Sequence, residues 1–247
     1  MSHALLTRLM STTLPYRSLL DDAGLNRRHV FNLADIPAQL LEPLKPTPQE
    51  KQLILFGHAG RRLWECVQAE RGDEKHPVDE YSVRTVQRWI AQAIPDARTR
   101  FAFPIGLPTG QHVGLQRLGT LAGWHHPSPF MVGIDAQWGS WFAYRAVILT
   151  DTELPATEPV DYGYPCITCA SKACITACPG RALDSGTMDF RACQTERLKE
   201  GSPCALGCCA RQACPVGAEH RYESSQIEHG AVGSLAAIRR YRQAAEI

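Results

Sequence analysis

Outside one short window the chain has almost no cysteine. Of its ten cysteines only Cys66 precedes Cys166, and none follows Cys214. A disulfide-stapled secreted mini-protein would be short and would carry its cysteines throughout, so that class is excluded. An excess of one charge is missing too. With 26 basic and 25 acidic residues the net charge is +1, which argues against a nucleic-acid or membrane-surface binder. Long apolar runs are absent. The longest uncharged stretches, Phe101–Gln116 and Leu118–Ile134, are broken by Gly, Pro and His, so no membrane-spanning helix is expected. Met1–Met10 offers no long apolar segment and no clear cleavage site, so a secretory signal is not expected and a cytoplasmic location is. A reducing compartment favours metal ligation over disulfides for clustered cysteines.

Hydrophobic residues make up 44% of the chain, enough for one substantial core plus a small module. Residues 1–50 read as helical and loop-rich, with Asp35 capping a short helix to Leu41 and Pro43, Pro46 and Pro48 marking a stop. Gln52–Phe56 reads as a buried strand that ends in a tight Gly57-His58-Ala59-Gly60 loop, followed by a helix from Arg61 to about Glu70. Ser82 precedes a helix with Val83, Val86, Trp89, Ile90 and Ile94 on one side. Arg100–Phe103 reads as a strand and Leu115–Gly123 as a short helix. Phe130–Ile134 and Trp141–Leu149 read as a hairpin around an Asp135–Gly139 turn; the second strand is nearly all apolar and therefore covered on both faces. Strands alternating with helices argue an α/β (α+β) layer domain over residues 1–155. Residues 156–225 then form a cysteine module, and 226–247 a closing helix that packs back, with Arg239, Arg240 and Arg242 on its solvated face.

The module reads Cys166-x2-Cys169-x4-Cys174-x3-Cys178-Pro179, then Cys193-x10-Cys204-x3-Cys208-Cys209-x4-Cys214-Pro215. Two runs each ending in Cys-Pro mark a two-cluster ferredoxin-like module. An iron–sulfur cube has four corner irons, each needing a thiolate. Three come from closely spaced loop cysteines and the fourth from the other half. By that cross-over, Cys166, Cys169, Cys174 and Cys214 hold one [4Fe–4S] cluster. Cys178, Cys193, Cys204 and either Cys208 or Cys209 hold the other. The internal echo of Cys169-Ala-Ser-Lys-Ala-Cys174 in Cys209-Ala-Arg-Gln-Ala-Cys214 favours Cys209; counting from Cys204 favours Cys208. The x4 spacing departs from the commoner x2 and makes a bulged loop. Zinc is the competing reading, but zinc ribbons prefer two separated Cys-x2-Cys pairs and this chain has one.

Around the module, Leu121-Ala-Gly-Trp124, Trp138-Gly-Ser-Trp-Phe142, Ala146-Val-Ile-Leu-Thr-Asp151 and the isolated Cys193 make the stretch from about Leu118 to Tyr222 resemble the epoxyqueuosine reductase family. It also resembles that family's relatives among corrinoid iron–sulfur reductases, including reductive dehalogenases. The resemblance implies two [4Fe–4S] clusters docked on an α/β layer and passing electrons to a buried corrinoid. Members that reduce epoxyqueuosine carry an Arg-Tyr-Ala-x-Gly-x-Asp-Tyr-His-type segment that supplies an acid. No equivalent is present, so no catalytic residue is carried over. The helical-repeat tail of many such enzymes is also missing, and the chain reads as a shortened relative.

Three residues stand out as candidates for binding a cofactor such as a corrinoid or flavin. His58 sits in a loop whose N–H groups could cradle an anion; a tight turn with a bonded histidine is the plainer reading. Trp138 and Trp141 could stack on a planar ring, against a default of aromatic core packing. His125 and His126 are adjacent, so their side chains diverge and do not share one metal. Cys66 reads as a buried helical thiol. His220 and Arg221, after the last Cys-Pro, could bond near a cluster or simply be solvated at the surface. The expected function is a single-electron relay through two clusters to a site in the α/β domain. It draws on a donor protein such as a ferredoxin or flavodoxin and acts on a small-molecule substrate. The alternative is a dedicated electron carrier with no catalytic site.

Overall fold

A computed structural model of the chain describes residues 14–245; the Met1–Met10 stretch read for a signal lies outside them. The chain divides into two compact units. One takes the residues up to Gly123 together with Phe142–Asp161, and the other takes Trp124–Trp141 together with Tyr162 onward.

The first unit is built on four strands: β1 (Arg27–Asn32), β2 (Gln52–Ala59), β3 (Thr99–Phe103) and β4 (Phe142–Thr150). They stand in the order β1-β2-β4-β3, and every ladder is antiparallel. Of the α/β (α+β) expectation, the structure bears out α+β. The alternation of strand and helix is real, since β2 and β3 run the same way with helices between them. But β4 lies between the two, so they never pair, and the unit is a split crossover.

Among the described residues five α-helices belong to this unit: α1 (Arg17–Asp22), α2 (Ala38–Leu41), α3 (Arg62–Glu70), α4 (Pro77–Ala93) and α5 (Leu115–Leu121). The sequence placed the start of α4 at Ser82, five residues late. Pro77 opens it, because its missing N–H costs nothing at a first helical turn, and Asp79 and Glu80 face the positive end of the helix dipole. Tyr81, Thr85, Val86 and Trp89 then recur on the buried side. Tyr81, Val86 and Trp89 meet Leu63, Trp64 and Val67 of α3 and the sheet face formed by Val30, Ile54, Phe56, Ala146 and Ile148. Trp89 lies edge-on to Phe56 at 5.5 Å and donates its indole N–H to Pro15 O at 2.8 Å. The alternate residues Leu53, Leu55, Val147 and Leu149 are also fully buried. Both faces of the central strands are therefore covered, as the apolar run of β4 required.

Residues 1–50 hold a strand the sequence reading missed. In β1 only His29, Val30 and Phe31 are buried, so its apolar signal is three residues long. Asp35 ends a 3-10 turn (Leu33–Asp35), and the following helix has Pro37 at its N-cap, not Asp35. Gln52, buried at the start of β2, accepts from Thr152 Oγ1 and Leu154 N and donates to Asn32 Oδ1 and Leu154 O. This ties β1, β2 and the proline-rich segment after β4 together with all its amide capacity used.

In the second unit, Phe130–Ile134 is not a strand. The 124–141 segment holds only single bridges, His126 to Ile134 and Asp135 to Gly139. Asp135 Oδ1 accepts from the N–H groups of Gln137 and Trp138 at 2.8 and 2.9 Å, an Asx turn. The remaining elements are α6 (Pro165–Thr168), α7 (Ala173–Thr176), α8 (Phe190–Leu198), α9 (Cys209–Ala213) and α10 (Ser224–Ala245). Asp189 caps α8 by accepting from Ala192 N at 2.9 Å. The closing helix begins at Ser224, two residues before the expected residue 226. Among the described residues no helix is long and apolar enough to cross a membrane.

Candidate metal centre

The two halves of the cysteine echo fold onto each other. α7 carries Cys174, Cys214 directly follows α9, and the two short helices pack together. Cys174 and Cys214 are buried with Phe130, Ile134, Leu183 and Ala210, and Cys166, Cys178 and Tyr164 pack at the edge of that cluster. The 124–141 segment thus supplies apolar walls to the module.

Electrostatics sorts the sulfurs. Burial pushes the Cys166 thiol up to about 11, and the charges of Cys214, Cys174 and Cys169 push the same way. These four form one mutually repelling set. Burial also pushes Cys193 up to about 11. The charge of Cys208 adds to that, Arg197 opposes it, and Cys178 and Cys204 contribute in turn. Cys209 is raised to about 12, by burial first and then by Cys204; the sulfurs of Cys204 and Cys209 are 2.9 Å apart.

Main-chain donors already face several of these sulfurs. N–H groups of Lys172 and Ser171 favour the Cys169 thiolate and hold its thiol below the usual range. Ile175 N–H does the same for Cys174 against a larger effect of burial. So do Arg211 and Ala210 N–H at Cys208 and Val216 N–H at Cys214. Such N–H···S bonds are the groups that tune thiolate-ligated iron. Among the described residues no three donors converge tightly enough to hold a single metal ion. A cube spreads its four thiolates over four corner irons, so its ligands stand further apart than those of one ion. A donor set of thiols that repel one another, with N–H groups aimed at the sulfurs, fits a cationic iron–sulfur core, which deprotonates its thiols outright.

Two arginines that the sequence reading passed over organise this unit. Arg211 lies in α9 between Cys208 and Cys214. Its guanidinium covers the Trp141 ring at 4.5 Å and the Tyr222 ring at 5.0 Å, and donates to Ser140 O and Ser140 Oγ at 2.5 and 3.2 Å. Arg197 of α8 donates to the carbonyls of Cys204, Ala205 and Ala231 and to Ser234 Oγ, which ties the Cys204 loop to α10. Ser140 lies 71 residues from Arg211 and Ala231 34 from Arg197, so the hint in the sequence was position: Arg211 stands inside the echo.

The candidates for a cofactor fall in different units. His58 is a β2 residue, not a loop residue; the strand continues through Ala59 and the turn comes at Gly60. It is buried, and its Nδ1 accepts from Arg145 Nε at 3.0 Å. Trp138 and Trp141 belong to the second unit. Trp138 is half-buried against His220, with ring centroids 4.2 Å apart. Trp141 is sealed beneath Arg211 and edge-on to Tyr222 at 5.3 Å. The His126 ring stacks on Tyr164 at 5.2 Å. Cys66 is half-buried and directs its Sγ at Asp22 O, 3.4 Å away.

No family model and no curated protein matches the chain. Solved structures do. An epoxyqueuosine reductase from Bacillus subtilis superposes with a TM-score of 0.51 at 17% identity, covering 84% of this chain and 66% of that one. An epoxyqueuosine reductase solved with a modified tRNA-Tyr stem loop gives 0.50 at 15% identity, covering 92% and 69%. A reductive dehalogenase gives 0.46 at 14% identity, covering 94% of this chain and 37% of that one. The chain spans about two thirds of the length of these epoxyqueuosine reductases. At these identities the likeness is one of fold.

Proposed function

Starting from the fold shared with epoxyqueuosine reductases, we propose that the protein is an iron–sulfur oxidoreductase. Cys166, Cys169, Cys174 and Cys214 bind one [4Fe–4S] cluster, and Cys178, Cys193, Cys204 and Cys208 bind the second. When bound, these groups supply one-electron transfer. The chain's own residues do the rest. Phe130, Ile134 and Leu183 exclude water from the first set of sulfurs. Lys172, Ser171, Ile175 and Val216 present N–H groups that favour thiolate. Arg197 and Arg211 place positive charge beside the second set, which makes it easier to reduce. The observation that supports this reading is the packing of Cys166, Cys174, Cys178 and Cys214 around one buried cluster, with the helices of the two halves of the echo in contact.

Electrons enter from a carrier protein of the ferredoxin or flavodoxin kind, in a cytoplasm that keeps thiols reduced, and leave to a small-molecule substrate or a corrinoid or flavin. His58, Trp138 and Trp141 are each engaged within their own unit, so no step is assigned through such a cofactor. Anaerobic iron and sulfide analysis tests the clusters: about eight of each per chain are expected. A value near four removes one cluster, and zinc in place of iron overturns the reading. A corrinoid or flavin band after anaerobic purification separates a reductase from the alternative, a dedicated electron carrier.

A further inference from the structure

The module holds nine cysteines, and two cubes use eight. The ninth is not idle in the structure. Cys209 lies with its sulfur 2.9 Å from that of Cys204, a residue assigned above to the second cluster. The surplus sulfur therefore sits against a cluster ligand. A disulfide needs about 2.05 Å between sulfurs, so closing this pair takes a shift of under about 1 Å. Cys204 is buried and Cys209 half-buried, which shields the pair from competing thiols. Cys208, the other neighbour of Cys209, is exposed. A Cys208–Cys209 bond would have to close a strained ring across one peptide unit.

We propose that Cys204 and Cys209 are a redox modification site: peroxide that destroys the second cluster joins them as a disulfide, which bars that cluster from reassembling until a thiol reductant opens it. The inference rests on the assignment of Cys204 to the second cluster and of Cys209 to none. Peroxide converts one of the two thiols to a sulfenic acid and releases water. The other sulfur then attacks it: the S–O bond breaks, the S–S bond forms and a second water leaves. Two thiols and one hydrogen peroxide thus give one disulfide and two waters.

The full chain is isolated anaerobically, exposed to hydrogen peroxide, alkylated, digested and mapped by mass spectrometry. Cys204–Cys209 is expected as the dominant cross-link. Iron uptake by the second cluster is expected to return only after dithiothreitol. Cys209→Ser is expected to keep about eight irons, to lose the cross-link, and to regain iron after peroxide without dithiothreitol. Cys208→Ser, as a companion, keeps the cross-link and loses about four irons. Cross-links scattered over the module, or refilling of the wild type without a reductant, overturn the proposal. So does a Cys209→Ser chain that holds only about four irons, since Cys209 is then a ligand. Absence of iron from the wild type is a different failure, that of the cluster assignment itself.

Discussion

Arg145 donates from Nε to Nδ1 of His58 at 3.0 Å across the β2–β4 ladder. The register explains why an arginine stands in an otherwise apolar strand. Phe56 pairs with Ala146 and Gly57 with Tyr144, so Arg145 is the extra residue of a bulge. A bulge turns one side chain away from its strand's alternation. Here it aims the guanidinium at His58 and at Asp79 of α4, 3.8 Å away. Because arginine has no acceptor, the bond fixes the imidazole proton on Nε2.

Replacing Arg145 by Met is expected to lower stability by about 1–3 kcal/mol, the range for removing a charged donor from a buried acceptor. A double-mutant cycle with His58→Phe should return a coupling of about 1 kcal/mol or more. Strict additivity in denaturant melts would show that the two side chains act independently.

Acid should destabilise the sheet through His29. Burial lowers its pKa from 6.5 to about 4, so the native protein keeps it neutral where the unfolded chain takes up a proton. The unfolded state then binds more protons between those values. Stability is complete above about pH 6.5 and falls as pH drops toward 4. The loss is on the order of 2–3 kcal/mol. Unfolding free energies measured across that window should flatten in His29→Phe. An unchanged slope would mean another group carries it.

Gly139 and Gly217 both have positive φ, at 58° and 62°. A β-carbon on Gly139 would run into the carbonyl of Val216, and one on Gly217 into the backbone of Trp138 and Gly139. Either change to Ala should cost more than about 2 kcal/mol. Gly186→Ala is the control: its φ is 79° with nothing within 4 Å, so it should cost only the roughly 1 kcal/mol of an unfavourable φ. Equal melting temperatures for the three variants would refute the contact argument.

Arg211→Leu should lower the unfolding midpoint of the second unit, followed by tryptophan fluorescence, by the equivalent of about 2 kcal/mol. Arg211→Lys should fall between wild type and Leu, because it keeps the charge over Trp141 but not the fork that reaches both Ser140 Oγ and Ser140 O. A Lys variant as weak as Leu would assign the effect to the fork alone.

The sequence disclosed what depends on near neighbours and hid what depends on distant ones. The apolar runs of β2 and β4 and the amphipathic spacing of α4 were readable because burial recurs at a fixed period. The cysteine spacing was readable as a motif because its two Cys-Pro runs stand close together in the chain. β1 was not, since its three buried residues are flanked by Arg27, Arg28 and Asn32. Phe130 and Ile134 looked like a strand because they are apolar. They are buried instead against Cys174 and Cys214, with Pro127, Pro129 and Gly133 keeping the segment irregular. His58 looked like a loop residue because glycines bracket it, yet Gly57 marks a bulge and only Gly60 turns the chain. The Arg211–Ser140 and Arg197–Ala231 bonds were invisible because they span 71 and 34 residues.

The second unit is sewn through the first: the chain leaves the sheet unit after Gly123, returns at Phe142 and leaves again after Asp161. This sets an order of events on the ribosome. Phe130 and Ile134 emerge before β4, but the residues that bury them arrive only with Cys174, Leu183, Ala210 and Cys214. During synthesis the sheet can close as soon as residue 150 is out, while a greasy loop waits uncovered for some sixty residues more. A nascent chain stalled between those points would be the sticky species that chaperones meet, and stalling after residue 214 would relieve it.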